Sequence, residues 1–156
     1  FLSKSFVTFV EDEPLIGDVN DAAKKIHQKL KEIESSTKPT AIVWGGETTV
    51  KIKGSGLGGR NQELALIVAE LAHQDPIRKS WTFLSGGTDG RDGPTEAAGA
   101  IVDQETCKRI LSEGYQVYDF LAENNSNKAL KISNDLLHTG ATGTNVADVQ
   151  ILIVSQ

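Results

Sequence analysis

The sequence predicts an α/β fold: a mixed, mostly parallel sheet flanked by helices, with an antiparallel hairpin. Three observations predict it. Short apolar runs rich in β-branched residues alternate with segments of helical period. Glycine-rich turns follow several of those runs. The 156 residues amount to about one domain. A chain of that length buries roughly 68–70% of the surface its unfolded form exposes, so its core needs neither disulfides nor a structural metal.

Taken in order, Phe6 to Val10 reads as a short strand, with Phe1 opening directly into it. Asp18 then stands as an N-cap before Val19, Ala22, Ala23, Ile26, Leu30 and Ile33, the stripe of an amphipathic helix. Lys24, Lys25, Lys29 and Lys31 lie mostly off that stripe, as a solvated face would. Pro39 marks the exit into a strand over Ala41 to Trp44. Beyond Gly45 and Gly46 the period becomes two, Thr49 to Lys53 alternating polar and apolar, so the expected link is a hairpin. Gly54 to Gly59 is a glycine loop. Gln62 to Ala72 is apolar on almost every side, as suits a helix buried against a sheet. Trp81 to Leu84 and Gly99 to Val102 read as strands separated by the long polar turn Ser85 to Thr95. Asp103 is placed to cap a helix that Gly114 ends, and short helices follow near Val117 to Leu121 and Asn127 to Ile132. Val149 to Val154 is almost continuously apolar, as in a strand covered on both faces.

Composition narrows the function classes. Net charge is −5, with 21 acidic against 16 basic residues, so no basic field is present to gather nucleic acid. The longest apolar run, Leu64 to Ala69, is bounded by Glu63 and Glu70 and is far too short to span a bilayer. The single Cys107 makes no internal bridge and reads as a small core residue; a reducing, cytoplasmic compartment is expected. Any targeting segment would precede Phe1, which leaves mitochondrial import open. With no methionine, even at position 1, the chain is expected to be a processed product or a piece of a longer one. A homodimer is left open.

Gly54, Gly56 and Gly59 satisfy G-x-G-x-x-G, but the carboxylate that would hold a ribose after the next strand is replaced by Ser85 and Gly86. The same stretch misses the P-loop pattern, with Arg60 and Asn61 where lysine and a hydroxyl residue belong. What survives is generic: glycines let backbone N–H groups approach an anion, a helix begins near Arg60, and the guanidinium adds a fork suited to phosphate or carboxylate. The alternative is a tight connection in which Arg60 merely pairs with a surface acid such as Glu63. Thr88, Asp89, Gly90, Asp92 and Thr95 form a dense polar turn whose paired aspartates suit Mg²⁺ or a hydroxyl proton, or simply bond their own backbone. Thr142, Gly143, Thr144, Asn145 and Asp148 repeat that chemistry before the last strand. Glu47, after Gly45 and Gly46, is placed to orient a hydroxyl or a metal. His138, beside the last glycine turn, is the only candidate catalytic histidine; the sequon at Asn124 carries little weight.

Together, Gly45-Gly46-Glu47-Thr48-Thr49-Val50, Gly58-Gly59-Arg60-Asn61-Gln62-Glu63, the run Gly86 to Thr95, and Thr142-Gly143-Thr144-Asn145-Val146 resemble the C-terminal (MOFRL) domain of the glycerate 2-kinase family. The resemblance is dense from Ala41 to Asp103, resumes from Leu136 to Val154 and is loose over the first forty residues. Ala141 stands where the family usually has proline. The resemblance implies a single α/β domain over 1–156, the C-terminal part of a two-domain chain. It further implies phosphorylation of D-glycerate by ATP with Mg²⁺ at a site shared with an N-terminal Rossmann-like domain that carries an essential lysine. On that reading Arg60 stabilises the transferred phosphoryl group. Gly45, Gly46, Glu47, Thr48, Gly58, Gly59, Asn61, Glu63, Thr88, Asp89, Thr142, Gly143, Thr144 and Asn145 bind substrate or nucleotide, and Asp89 and Asp92 take the metal. This chain alone is expected to be inactive. An NAD(P)-dependent hydroxypyruvate reductase-like enzyme and a non-catalytic anion-binding module are the alternatives; the first predicts NADH binding.

Overall fold

The computed structural model describes residues 6–155; Phe1 and the opening of the first run lie outside them. Strands β1 (Val7–Val10) and β2 (Leu15–Asp18) lead into helix α1 (Val19–Glu34). Strand β3 (Thr40–Thr49) and helix α2 (Arg60–Gln74) follow, then β4 (Trp81–Gly87) and β5 (Gly99–Asp103). Three short helices, α3 (Thr106–Ser112), α4 (Val117–Ala122) and α5 (Ser126–Ile132), precede β6 (Leu136–Leu137) and β7 (Asp148–Val154).

The sheet runs β1-β3-β7-β4-β5-β6, and β2 also pairs with β3, beyond the end of β1. It is α/β and mixed as expected, but mostly antiparallel. Only β1 and β2 pair in parallel, both with β3, whereas β3–β7, β7–β4, β4–β5 and β5–β6 are antiparallel. The last strand returns through the middle of the sheet against its neighbours, which converts an apparent succession of parallel units into an antiparallel centre. The expected hairpin at Gly45 and Gly46 is absent: β3 passes straight through both glycines to Thr49, and 50–59 form no strand. A short connection between consecutive antiparallel strands occurs instead at β4 and β5, joined across 88–98.

Local rules hold well in the helices. Asp18 Oδ1 accepts the Asn20 N–H at 2.8 Å and caps α1, whose buried face is Val19, Ala22, Ala23, Ile26 and Leu30. Asp103 Oδ1 accepts from Glu105 N at 2.8 Å while the helix itself starts at Thr106, and Gly114 closes it at φ +83°. α2 is sealed from Asn61 to Ala69 because α1 packs on one side and the short helices on the other. Among the described residues the five helices pack as one group around α2. Under it Phe83, Ile42, Leu152, Leu64, Leu66 and Ile110 are fully buried. β7 is therefore sealed on one face only; Val149, Ile151 and Ile153 on the other are half-buried.

Candidate functional site

β3 and β4 both run against β7 and so point the same way, which makes the chain leave both at one end of the sheet and enter β7 there. The register sets Gly46, Asp148 and Gly87 side by side in one row. The glycine turns after β3 and β4, the turn before β7 and the start of α2 consequently share that edge.

Arg60, the first residue of α2, is clamped there. Its Nε donates to Asp148 Oδ2 at 2.6 Å and its Nη2 to Asp148 Oδ1 at 3.0 Å, a two-pronged pair, while Nη1 donates to Glu47 Oε1 at 2.8 Å. The Asp148 side chain is 1% exposed, Arg60 36% and Glu47 59%, so one carboxylate is an anchor and the other lies on the surface. The bond to Asp148 pushes the already high pKa of the guanidinium further up. Ala147, just before the anchor, holds a left-handed φ of +67°, a strained backbone of a kind that clusters at functional sites. Its N–H donates to Asn145 Oδ1 and its carbonyl accepts from Thr88 N and Oγ1. Thr142 Oγ1 donates to the Thr88 carbonyl, and Val146 N to Thr88 Oγ1 at 2.9 Å. Thr88 and Thr142 thus splice the two loops together behind Asp148, leaving Gly143, Thr144 and Asn145 exposed. A chamber of about 520 Å³ opens in front of Arg60, lined by Thr48, Val50, Asp89 and Arg91 among others.

Asp92 receives a different task from the one expected beside Asp89. It is 3% exposed, and its oxygens accept from Asn61 N at 3.1 Å, Gln62 N at 2.9 Å, and the side-chain amides of Asn61 and Gln62. That is a helix cap supplied from another loop, and it uses the lone pairs a metal would need. Burial pushes its carboxyl up, opposed by those N–H bonds. Gly59 has to be glycine here, since a Cβ would lie 2.3 Å from Asp92 Cγ. Asn61 is likewise internal, accepting from Ser85 Oγ at 2.6 Å. Glu63 pairs not with Arg60 but with Asn124 Nδ2 at 3.0 Å, and burial raises its carboxyl too. Both aspartates line the chamber, but Asp89 is the exposed one, its Oδ1 accepting Arg91 N at 3.0 Å. Gly54 and Gly56 are pressed against the backbone at Glu123 and Asn125, so the fingerprint glycines serve packing between segments. His138 is exposed in another groove, with Pro94 and Leu136, and Cys107 is a buried thiol pushed up to about 12. Among the described residues no three His, Cys, Asp or Glu side chains are grouped to hold a metal, and no helix is long and apolar enough to cross a membrane.

Residues 40–148 match the MOFRL family. The chain belongs to that family. The match runs from the first residue of β3 to the Asp148 anchor and so spans the whole Arg60 cluster. Among its relatives, D-glycerate 2-kinase of Thermotoga maritima is 45% identical over 142 residues, covering 88% of this chain and 33% of that protein. Bovine glycerate kinase is 44% identical over 92% of this chain and 29% of its own length. A solved structure of the Thermotoga maritima glycerate kinase superposes with a TM-score of 0.91 at 42% identity, over 98% of this chain and 37% of that one. A second, from Pyrococcus horikoshii, gives 0.88 at 40% identity, over 99% and 36%. This MOFRL chain therefore spans about a third of the length of the relatives it matches. Two of its residues escaped sequence reasoning. Asp148 registered only as the last polar residue of a turn, and Asn124 only as a sequon; the signal for Asp148 is its place at the first position of a central strand, facing the same row as Gly46.

Proposed function

We propose that this chain is the C-terminal part of an ATP-dependent glycerate 2-kinase, working at a site completed by an N-terminal domain. The observation that carries the reading is Arg60, held by Asp148 and opening onto the chamber; the names of its relatives supply the reaction. A guanidinium has five N–H donors, and three are engaged by Asp148 and Glu47, so two remain for a ligand. The transferred phosphoryl group spreads charge over its oxygens, and a fixed cation that needs no reorganisation stabilises it. D-glycerate, small and polar, would sit in the chamber beside Thr48 and Arg60, within reach of Glu47, which bonds Arg60. Asp89 and the phosphate oxygens suit Mg²⁺, which takes one or two carboxylates plus substrate phosphates. Bound there, Mg²⁺ would neutralise phosphate charge. On this reading a cationic partner comes from the N-terminal domain, and residues 1–156 without it turn over nothing measurable.

The test is ADP release from Mg-ATP and D-glycerate by the complete protein and its Arg60→Ala variant. Glycerate-dependent turnover falls by about a hundredfold or more, roughly 2.7 kcal/mol of transition-state stabilisation. An intact protein that releases no ADP in response to glycerate would sink the substrate assignment.

A further inference from the structure

A second cavity, of about 610 Å³, adjoins the Arg60 chamber, and Val50 lines both. Val19, Ile67 and Leu121 give it an apolar floor; Lys51, Lys53 and Tyr118 stand at its rim. Its polar wall is built by Asn124, which adopts φ +51°. The Asn124 Oδ1 accepts from Lys53 N at 2.6 Å and Gly54 N at 3.1 Å, while its Nδ2 donates to the Lys51 carbonyl at 3.2 Å and to Glu63 Oε1 at 3.0 Å. One amide thus fixes both the lysine-bearing segment and the Glu63 carboxylate, which is only 6% exposed. Asp18, also at the rim, is turned to its own helix, where Oδ1 accepts from Asn20 N and Nδ2.

We infer that this cavity takes the nucleoside and inner phosphates of a purine nucleotide whose outer phosphate reaches across Val50 to Arg60. The volume lies in the range of small-molecule sites, roughly 300–1,000 Å³. A small hydroxy acid would leave Val19, Ile67 and Leu121 against water, and a purely apolar ligand would leave two lysines and a buried carboxylate unused. A nucleotide employs all of them. Its base lies on the apolar floor under the exposed Tyr118 ring, an amino or hydroxyl group donates to Glu63, and the phosphates follow Lys51 and Lys53 towards the chamber. The inference rests on the kinase reading, to which it adds a place for the donor.

The experiment is calorimetric titration of the complete protein with Mg-ADP, for the wild type, Tyr118→Ala and Ala122→Trp. Both altered side chains are exposed in the fold, and the tryptophan would fill the cavity. Binding weakens by about tenfold or more in each variant, with melting temperatures within about 2 °C of wild type. Unaltered ADP affinity in both variants, or no ADP binding by the wild type, overturns the inference. Glycerate-dependent turnover read in parallel separates the two claims. Turnover with unaltered ADP affinity places the nucleotide elsewhere in a working kinase; weakened ADP binding without turnover keeps this subsite and discards the substrate.

Discussion

Asp92, in the turn after β4, and Asp148, the first residue of β7, are both nearly sealed from water and both bonded to the first turn of α2. Asp92 takes the backbone and side-chain amides of Asn61 and Gln62 and ends as a satisfied internal cap. Asp148 takes one edge of a guanidinium that also bonds the exposed Glu47, keeps two N–H donors unused and lines an open chamber. The motif Gly58 to Glu63 thus divides into a structural half and a chemical half. Residue type does not separate them; what separates them is whether the donors still have unused capacity where a ligand can reach.

Asp92→Ala is the most damaging change this comparison predicts. It strips partners from the Asn61 and Gln62 amides, each buried, at a cost of about 3 kcal/mol or more, a drop of roughly 6–12 °C in melting temperature. A melting curve within about 2 °C of wild type would show that the cap is dispensable and break the division. Asp148→Asn comes next. It keeps the shape and removes the charge that holds Arg60, so kcat falls about tenfold or more, with KM for D-glycerate moving less, and stability falls by about 1–2 kcal/mol. Unchanged kcat would mean that Glu47 alone positions Arg60. The smallest effect belongs to Glu63→Gln, which keeps an acceptor for Asn124. Burial raises the Glu63 carboxyl above its ordinary 4.5, so the folded state holds that proton longer than the unfolded chain. Its contribution is complete below the unfolded value and is lost as pH rises through the folded one. The glutamine variant is therefore more stable than wild type at pH 7 and equal to it below about 4.5. Denaturant titrations at the two pH values check the sign, and an equal difference at both would remove Glu63's charge from the account.

Much of the helix layer was legible because helical period and caps are local: Asp18, the α1 stripe and the all-round burial of α2 follow from residues within a turn or two of one another. Arg60 was legible for the same reason, as a cation at a helix start after glycines. Strand direction was not. Ala41 to Trp44 and Val149 to Val154 look alike whether they run together or opposed, since alternation reports which faces are buried and not which strand lies alongside. Val149 to Val154 reads as covered on both faces, but it is sealed on one, where the helices lie, and half-buried on the other. β2 and β6 are four and two residues long, too short for their period to show.

The sequence by itself determined that this is an α/β domain with its helices in these places, with glycine turns rich in hydroxyls and acids, and with one arginine at the start of a buried helix. Only the tertiary structure decided which acids that arginine meets, that Asp92 is sealed as a cap while Asp89 stays exposed, and that Asn124 builds a cavity wall with a segment some seventy residues away. The reason is physical. Periodicity and capping are set by neighbours along the chain, whereas Arg60 and Asp148, 88 residues apart, meet only because β7 threads back between β3 and β4.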